Sequence, residues 1–376
     1  MPSYIAKTLQ GLEPVLAKEL KILGATDIKE SSRAVLFDGS QKVLYKANYL
    51  CRTALRILKN IKSFDIETQD DLYEQVYAVP WEKIFPVDAL MTLKATCIDS
   101  VFSHTRFASQ RVKDAIVDRF RRVLGQRPSI DNEYYTIRVE LFMRNNHCEL
   151  MLDSSGLSLH NRGYRKPHSE AFTEVLASGL LALSGWTPDK NLLVPFCGNG
   201  VLAIEAAMQA SNMPAGYYRK GYSFQYWNDF DPNLWKEIKD DAIKQISDPQ
   251  GEIIAIDSDG LAVEETEARL KKIRLHLDVN LQLSDFMQGV RPEGMEDAGG
   301  WFIIIRMPKV GSPENFEAED FYTEVGNVLK RNYTGAQAWV FSTEEDVIKF
   351  VGLKPGRKAI VWENKTEARF YGYSIQ

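Results

Sequence analysis

The spacing of apolar residues alternates between helical and strand periods and divides the 376-residue chain into three units. Residues 1–64 and 65–157 each predict a small α+β unit with strands and helices of ferredoxin-like length. Residues 170–376 alternate strands with helices and end in two neighbouring strands. This last pattern predicts a largely parallel α/β sheet with a hairpin at its end.

Two segments interrupt this alternation. Residues 158–169 lack a clear period and carry the basic side chains of Arg162, Arg165 and Lys166, so they predict a basic linker. Residues 213–249 predict a long irregular insertion that is rich in Tyr, Trp and Phe. Such an insertion can shield a ligand, but aromatic-rich loops more often pack over the core of their own protein.

Glycines and carboxylates follow the apolar runs of the third unit, where its strands are expected to end. The run that ends at Val194 leads through a glycine turn into an amphipathic helix, and the next two runs each end near an aspartate. In doubly wound folds, turns and strand ends of this kind hold a nucleotide cofactor. The alternative is that these residues are ordinary turns and caps. The candidate cofactor contacts are Phe196, Gly198, Gly200, Asp257, Asp285 and Phe286.

The formal charge of −5 argues against a protein that binds polyanions over its whole surface. The charge is unevenly distributed, because residues 106–127 form a locally cationic stretch. Its apolar residues fall on one face of a predicted helix, which leaves the basic residues for RNA or, alternatively, for a solvated surface. The candidate RNA contacts in this helix and the linker are Arg106, Arg111, Lys113, Arg119, Arg122, Arg162, Arg165 and Lys166.

The 4 cysteines and 5 histidines are dispersed, so their spacing matches neither a zinc site, nor a disulfide framework, nor a histidine-centred triad. No long apolar run or leader sequence is apparent. We therefore expect a soluble cytoplasmic protein with no metal and no membrane partner.

Several separated stretches resemble the bacterial THUMP-domain methyltransferases that modify the exocyclic amine of a guanine in large-subunit ribosomal RNA. They are residues 11–20 (GLEPVLAKEL), 107–118 (FASQRVKDAIVD), 158–165 (SLHNRGYR), 183–186 (LSGW) and 351–355 (VGLKP). The resemblance covers essentially the whole chain. It implies a ferredoxin-like domain and a THUMP RNA-binding domain, followed by a class I (Rossmann-like) methyltransferase domain that uses S-adenosylmethionine. Ribosomal RNA is the implied partner.

The chain departs from the family pattern at two motifs. At the glycine turn, Val194 replaces an acidic residue. Where the family carries Asn-Pro-Pro-Tyr, this chain has Arg306, Met307, Pro308 and Lys309. An arginine offers only donors and cannot accept the protons of a target amine, as the family's asparagine does.

Two functions are therefore weighed. The first is an S-adenosylmethionine-dependent RNA methyltransferase. The second is an RNA-binding homologue that acts in ribosome assembly and whose cofactor binding and methyl transfer are weak or lost.

Overall fold

The computed structural model describes residues 1–102, 104–166, 172–308 and 318–376. Its first unit is built on four antiparallel strands, covered on one face by two helices. The polar residue Ser40 begins the second helix, because its side chain accepts a hydrogen bond from the backbone N–H of Val43. The elements are β1 (Ser3–Lys7), α1 (Glu13–Ile22), β2 (Thr26–Ser31), β3 (Ala34–Asp38), α2 (Gln41–Leu50) and β4 (Arg56–Asp65).

The second unit extends the same sheet, because its last strand pairs antiparallel with β4. One eight-stranded sheet results, in the order β2-β3-β1-β4-β8-β7-β5-β6. The added elements are α3 (Gln69–Tyr77), β5 (Leu90–Ile98), α4 (Thr105–Leu124), β6 (Ser129–Ile130), β7 (Ile137–Arg144) and β8 (His147–Asp153).

The third unit is a seven-stranded sheet. Its described strands run parallel to one another except β15, which lies between β13 and β14 and runs antiparallel to both. Its order is β11-β10-β9-β12-β13-β15-β14. The elements are α5 (Glu174–Ser184), β9 (Leu192–Val194), α6 (Val201–Ala210), α7 (Pro232–Ile243), β10 (Ile253–Asp257), α8 (Gly260–Lys272), β11 (Asn280–Leu283), β12 (Phe302–Arg306), α9 (Ala318–Asn332), β13 (Gln337–Ser342), β14 (Arg357–Glu363) and β15 (Thr366–Ser374).

The strand order reverses between β9 and β12. The chain moves from β9 to β10 and β11 on one side, and from β12 to β13 on the other. In open α/β sheets, ligands bind in the crevice beside the carboxyl ends of the strands at such a reversal. Alternate residues of β12 enter different cores, with Ile304 in one and Ile303 and Ile305 in the other. The sheet is thus covered on both faces. A ligand-binding site is therefore expected at the carboxyl ends of its strands.

Most elements lie where the apolar pattern predicts them, but several do not. Strand β2 and helix α7 were not predicted, because β2 is mostly exposed and α7 lies within the aromatic insertion. Near the end of the chain, Ile348–Val351 form only a 3-10 turn. At the end of α4, Val123 and Leu124 are exposed and do not continue the apolar stripe.

The aromatic insertion packs on the first unit. Its Phe224 ring stacks on Tyr45 of α2 with centroids 4.4 Å apart, and Trp235 meets Tyr49 edge-on at 5.3 Å. These rings belong to the same core as the eight-stranded sheet. The structure therefore shows the insertion packed over a core, which is the more frequent role of such loops. Through this packing the insertion joins the first unit to the third.

In the described part of the linker, the side chains of Arg162 and Arg165 are buried, so this structure does not present them as the RNA contacts expected from the sequence. The Arg162 side chain is 1% exposed, lies 3.6 Å from Glu205, and donates a 2.8 Å hydrogen bond to the carbonyl of Leu159. Arg165 pairs with the buried carboxylate of Glu174 at 2.8 Å. Both guanidinium groups serve contacts within the protein because the linker packs between the units. Lys166 is exposed.

Candidate functional site

The glycine turn after β9 forms the floor of the crevice. Phe196, Gly198 and Gly200 all have positive φ, at 51°, 52° and 73°. A side chain at Gly200 would place its Cβ 2.4 Å from Cγ2 of Thr266 on α8, whereas the same atom at Gly198 would meet only a carbonyl oxygen at 4.0 Å. Gly200 thus permits close helix packing, and Gly198 leaves open space above the turn.

Asp257, at the end of β10, meets this turn as the sequence predicts. Its Oδ2 accepts a 2.7 Å hydrogen bond from the backbone N–H of Gly198, and its Oδ1 accepts one from Asp259 at 3.0 Å. The residue is half-buried. The carboxylate therefore holds the turn and still borders the open space above Gly198.

Two residues that support the turn were missed by the sequence analysis. The Thr266 hydroxyl donates to the carbonyl of Gly198 at 3.0 Å, and the guanidinium of Arg269 donates to the carbonyl of Asn199. They lie three positions apart on α8, and therefore on one helix face. The spacing of these two residues in the sequence indicates that they share a helix face. It does not indicate that this face contacts the glycine turn.

Asp285 and Phe286 lie after the neighbouring strand β11. The Asp285 carboxylate accepts a 2.9 Å hydrogen bond from the N–H of Met287 and is half-buried. The Phe286 ring is buried and meets the ring of Phe196 edge-on at 5.5 Å. An aromatic wall with a carboxylate beside it suits a ligand that combines a flat ring with hydroxyl groups.

Cys197 within the turn is not a nucleophile. Burial raises the pKa of its thiol to about 12, and the charge of Asp257 adds to this. The thiol is therefore protonated near neutral pH, and the thiolate is the reactive form of cysteine.

Arg306 ends β12 on the other side of the strand-order reversal. Its guanidinium lies over the ring of Phe172 at 4.6 Å, and its Nη2 is 3.2 Å from Oε1 of Glu363. The Arg306 side chain is 34% exposed and that of Glu363 only 2%. Met307 is buried, Pro308 is exposed, and Lys309 lies outside the described residues. The sequence analysis missed Glu363, whose carboxylate offsets the charge of Arg306.

The cationic helix α4 carries fewer unmatched charges than its sequence suggests. Arg119 donates two hydrogen bonds to Glu82, at 2.7 and 3.1 Å, and these lower the pKa of that carboxyl group. Arg106 and Arg122 are exposed. The ion pairs of the predicted RNA contacts on this helix are Arg111–Asp70, Lys113–Asp114 and Arg119–Glu82.

The two glycines of the turn should respond differently to substitution. Gly200→Ala is expected to destabilise the fold by about 2–4 kcal/mol, because it combines a strained backbone with a clash against Thr266. Gly198→Ala is the matched control and should cost only the backbone strain, about 1–2 kcal/mol. Urea unfolding of both variants measures the difference. Equal losses would mean that contact with α8 does not restrict Gly200.

Three family descriptions match the chain in the order of its units. The family described as RlmL ferredoxin-like domain matches residues 3–58, and the THUMP domain matches residues 67–153. The RMKL-like methyltransferase domain matches residues 162–369, which is more than half of the chain. The fold class expected from the sequence is confirmed.

Relatives with similar sequences support the same family assignment. A candidate RNA methyltransferase of Synechocystis is 32% identical over 93% of this chain and 91% of its own length. The ribosomal RNA large subunit methyltransferase K/L of Syntrophotalea carbinolica is 33% identical over 99% of this chain. The K/L enzyme of Magnetococcus marinus is 34% identical over 90% of it. The chain spans 53% and 48% of the lengths of these two enzymes.

Solved structures agree over the full length. A candidate methyltransferase crystallised with S-adenosylhomocysteine, SMU.472, superposes with a TM-score of 0.88 at 26% identity and covers 100% of this chain and 98% of its own. A Clostridium difficile protein described as a possible methylase shares the fold, with a TM-score of 0.89 at 24% identity and coverage of 100% and 98%. The chain therefore belongs to the RMKL-like methyltransferase family, with a ferredoxin-like and a THUMP domain ahead of its class I S-adenosylmethionine-dependent methyltransferase fold.

Proposed function

We propose that this protein transfers a methyl group from S-adenosylmethionine to RNA, and that its substrate is large-subunit ribosomal RNA. The observation that carries the proposal is the contact of Asp257 with Gly198 at the strand-order reversal, beside open space above the glycine turn. The names of the relatives and the THUMP match support RNA as the substrate class.

The residues at the crevice fit the cofactor. S-adenosylmethionine supplies an electrophilic methyl group when it is bound. Asp257 and Asp285 would accept hydrogen bonds from its hydroxyl and amino groups, and Phe196 and Phe286 would border its adenine ring. The small residue Gly198 would let the ligand approach the backbone. Transfer from a sulfonium depends chiefly on alignment, so these positioning contacts matter more than acid or base groups.

The target atom is proposed from the resemblance to be the exocyclic amine of a guanine. Arg306, at the position of the family's asparagine, cannot accept protons from that amine. We therefore expect transfer to be slow. The same observation favours a second candidate, an RNA-binding homologue with impaired catalysis.

Glu363 weakens one argument for this second candidate. Without a partner, Arg306 would make the pocket more positive and less favourable for a sulfonium cation. The nearly buried carboxylate of Glu363 offsets that charge. Loss of the carboxylate at Val194, whose side chain is itself buried, remains as a reason for weaker cofactor binding.

The other assignments remain predictions. They are the domain bounds 1–64, 65–157, 158–169 and 170–376 and the cytoplasmic location. Within the described ranges, no helix has both the length and the apolar character needed to cross a bilayer. No three His, Cys, Asp or Glu side chains in those ranges come together as a metal site would require.

Titration calorimetry with S-adenosylhomocysteine tests the cofactor site. The wild-type protein should bind it, and Asp257→Asn should weaken binding at least about tenfold, a loss of about 1.4 kcal/mol, because a charged acceptor is lost. Asp259→Asn is the matched control. Asp259 caps α8 through the N–H of Leu261, and asparagine caps helices equally well. Absence of binding by the wild type would favour the impaired homologue, and equal binding by all three proteins would remove Asp257 from the site.

A further inference from the structure

The two faces of the eight-stranded sheet differ in character because successive side chains of a strand point to opposite faces. On one face, Met91, Val139 and Leu141 pack in the core shared with α3 and α4. The other face carries charged residues of the intervening positions. In the strand registers, Lys94 lies opposite Glu140, and Lys7 lies opposite Arg56. Arg138 lies on the same face, opposite Thr92.

We refer to Lys7, Arg56, Lys94 and Arg138 as the sheet cations. Two buried carboxylates accompany them. Glu140 pairs with Lys7 and, at 2.9 Å, with Arg138, while Asp153 pairs with Arg56. Among the described residues Lys94 forms no ion pair and is exposed. The Nε of Arg138 and the Oε1 of Glu140 are both buried without a hydrogen-bond partner. With four cations and two carboxylates, this part of the face has excess positive charge.

The sheet cations are close enough to influence one another. Burial lowers the pKa of Lys94, and the charges of Arg138, Lys7 and Arg56 lower it further, whereas Glu140 raises it. Like charges held together in this way are stabilised by an anion that binds among them.

The neighbouring residues limit where an anion can lie. Phe142, in the next row of the same face, is half-buried and lies opposite Thr96. On the neighbouring strand β8, Glu149 lies opposite Phe142 and lines a cavity with Asp27, Asp38 and Lys29, three carboxylates to one cation. An anion is therefore favoured over the sheet cations and disfavoured towards this acidic end.

We propose that the sheet cations bind the phosphodiester backbone of RNA, with Lys94 as the principal contact. This inference rests on the proposed function and adds where the RNA backbone lies. Helix α4 also has exposed cations, at Arg106 and Arg122. Its Arg111, Lys113 and Arg119, however, each pair with a separate carboxylate, whereas the four sheet cations share two carboxylates. On the sheet, Lys94 supplies an exposed charge without an ion pair, and Phe142 supplies an adjacent ring on which a base can stack.

Fluorescence anisotropy with a labelled large-subunit rRNA fragment, over a series of salt concentrations, tests the proposal. Lys94→Gln should weaken binding several-fold and reduce the slope of log K against log salt by about 0.7, the value for one lost phosphate contact. Lys94→Glu should weaken binding at least tenfold. Lys18→Gln and Lys18→Glu, at an exposed lysine of α1, are the matched controls and should change binding little. Melting curves should show both Lys94 variants folded, because that side chain is exposed.

The outcomes separate this proposal from the proposed function. Wild-type binding of RNA with an unchanged affinity and salt slope for Lys94→Glu would overturn the sheet surface and leave the methyltransferase proposal intact. Failure of the wild type to bind the fragment would contradict the proposed function itself. Lys94-dependent binding of inorganic phosphate without Lys94-dependent binding of RNA would also overturn the proposal, because the site would then be one for small anions.

Discussion

Replacement of residues 306–309 by Asn-Pro-Pro-Tyr is expected to raise the rate of methyl transfer to rRNA at least about tenfold. One preorganised hydrogen-bonding group at a reacting centre commonly contributes a factor of about 10² to 10³, and the present arginine offers no acceptor for the target amine. The measurement is incorporation of labelled methyl groups at saturating cofactor. The effect should appear in kcat more than in KM, because alignment of the target is what changes.

The design must account for Glu363, since the replacement removes the guanidinium beside its nearly buried carboxylate. A companion protein therefore carries Glu363→Gln in addition. Val194→Asp is tested separately, because Val194 lies in the core and an introduced carboxylate there costs stability. If the four-residue replacement folds, binds S-adenosylhomocysteine and transfers methyl groups no faster, the missing asparagine does not limit this protein.

Glu205→Ala is expected to destabilise the protein by about 3–5 kcal/mol, the usual cost of removing one partner from a buried ion pair. Glu205 is fully buried on α6 and faces the linker guanidinium of Arg162 at 3.6 Å. It also accepts hydrogen bonds from Ser178 at 2.7 Å and from Tyr164 at 3.2 Å. Urea unfolding gives the free energy of unfolding.

Glu265→Ala is the control for this prediction. It removes a carboxylate from an exposed pair with Arg269 on α8, which should change stability by no more than about 1 kcal/mol. Similar losses in both variants would mean that burial of the Glu205 carboxylate does not determine the cost of removing it.

Local sequence patterns were sufficient to predict the glycine turn after β9 and the order of the three units along the chain. The positions of Gly198 and Asp257 could be predicted together because parallel strands bring their carboxyl ends to one edge, and their 2.7 Å hydrogen bond agrees with this.

Long-range contacts could not be predicted in the same way. Arg306 and Glu363 are 57 positions apart, and their pairing depends on how β12 and β14 are placed in the sheet. Arg162 was expected as an RNA contact because it lies in a basic linker, yet its partner Glu205 lies on a different element. A basic residue in an irregular segment gives no local signal of such a partner.

Transfer of tritiated methyl groups from S-adenosylmethionine to large-subunit rRNA decides whether this protein is an RNA methyltransferase. We expect slow incorporation by the wild-type protein that exceeds the incorporation by Asp257→Asn. Absence of incorporation into rRNA that the protein demonstrably binds, with cofactor in excess, would contradict this expectation and identify the protein as an RNA-binding homologue without methyl transfer.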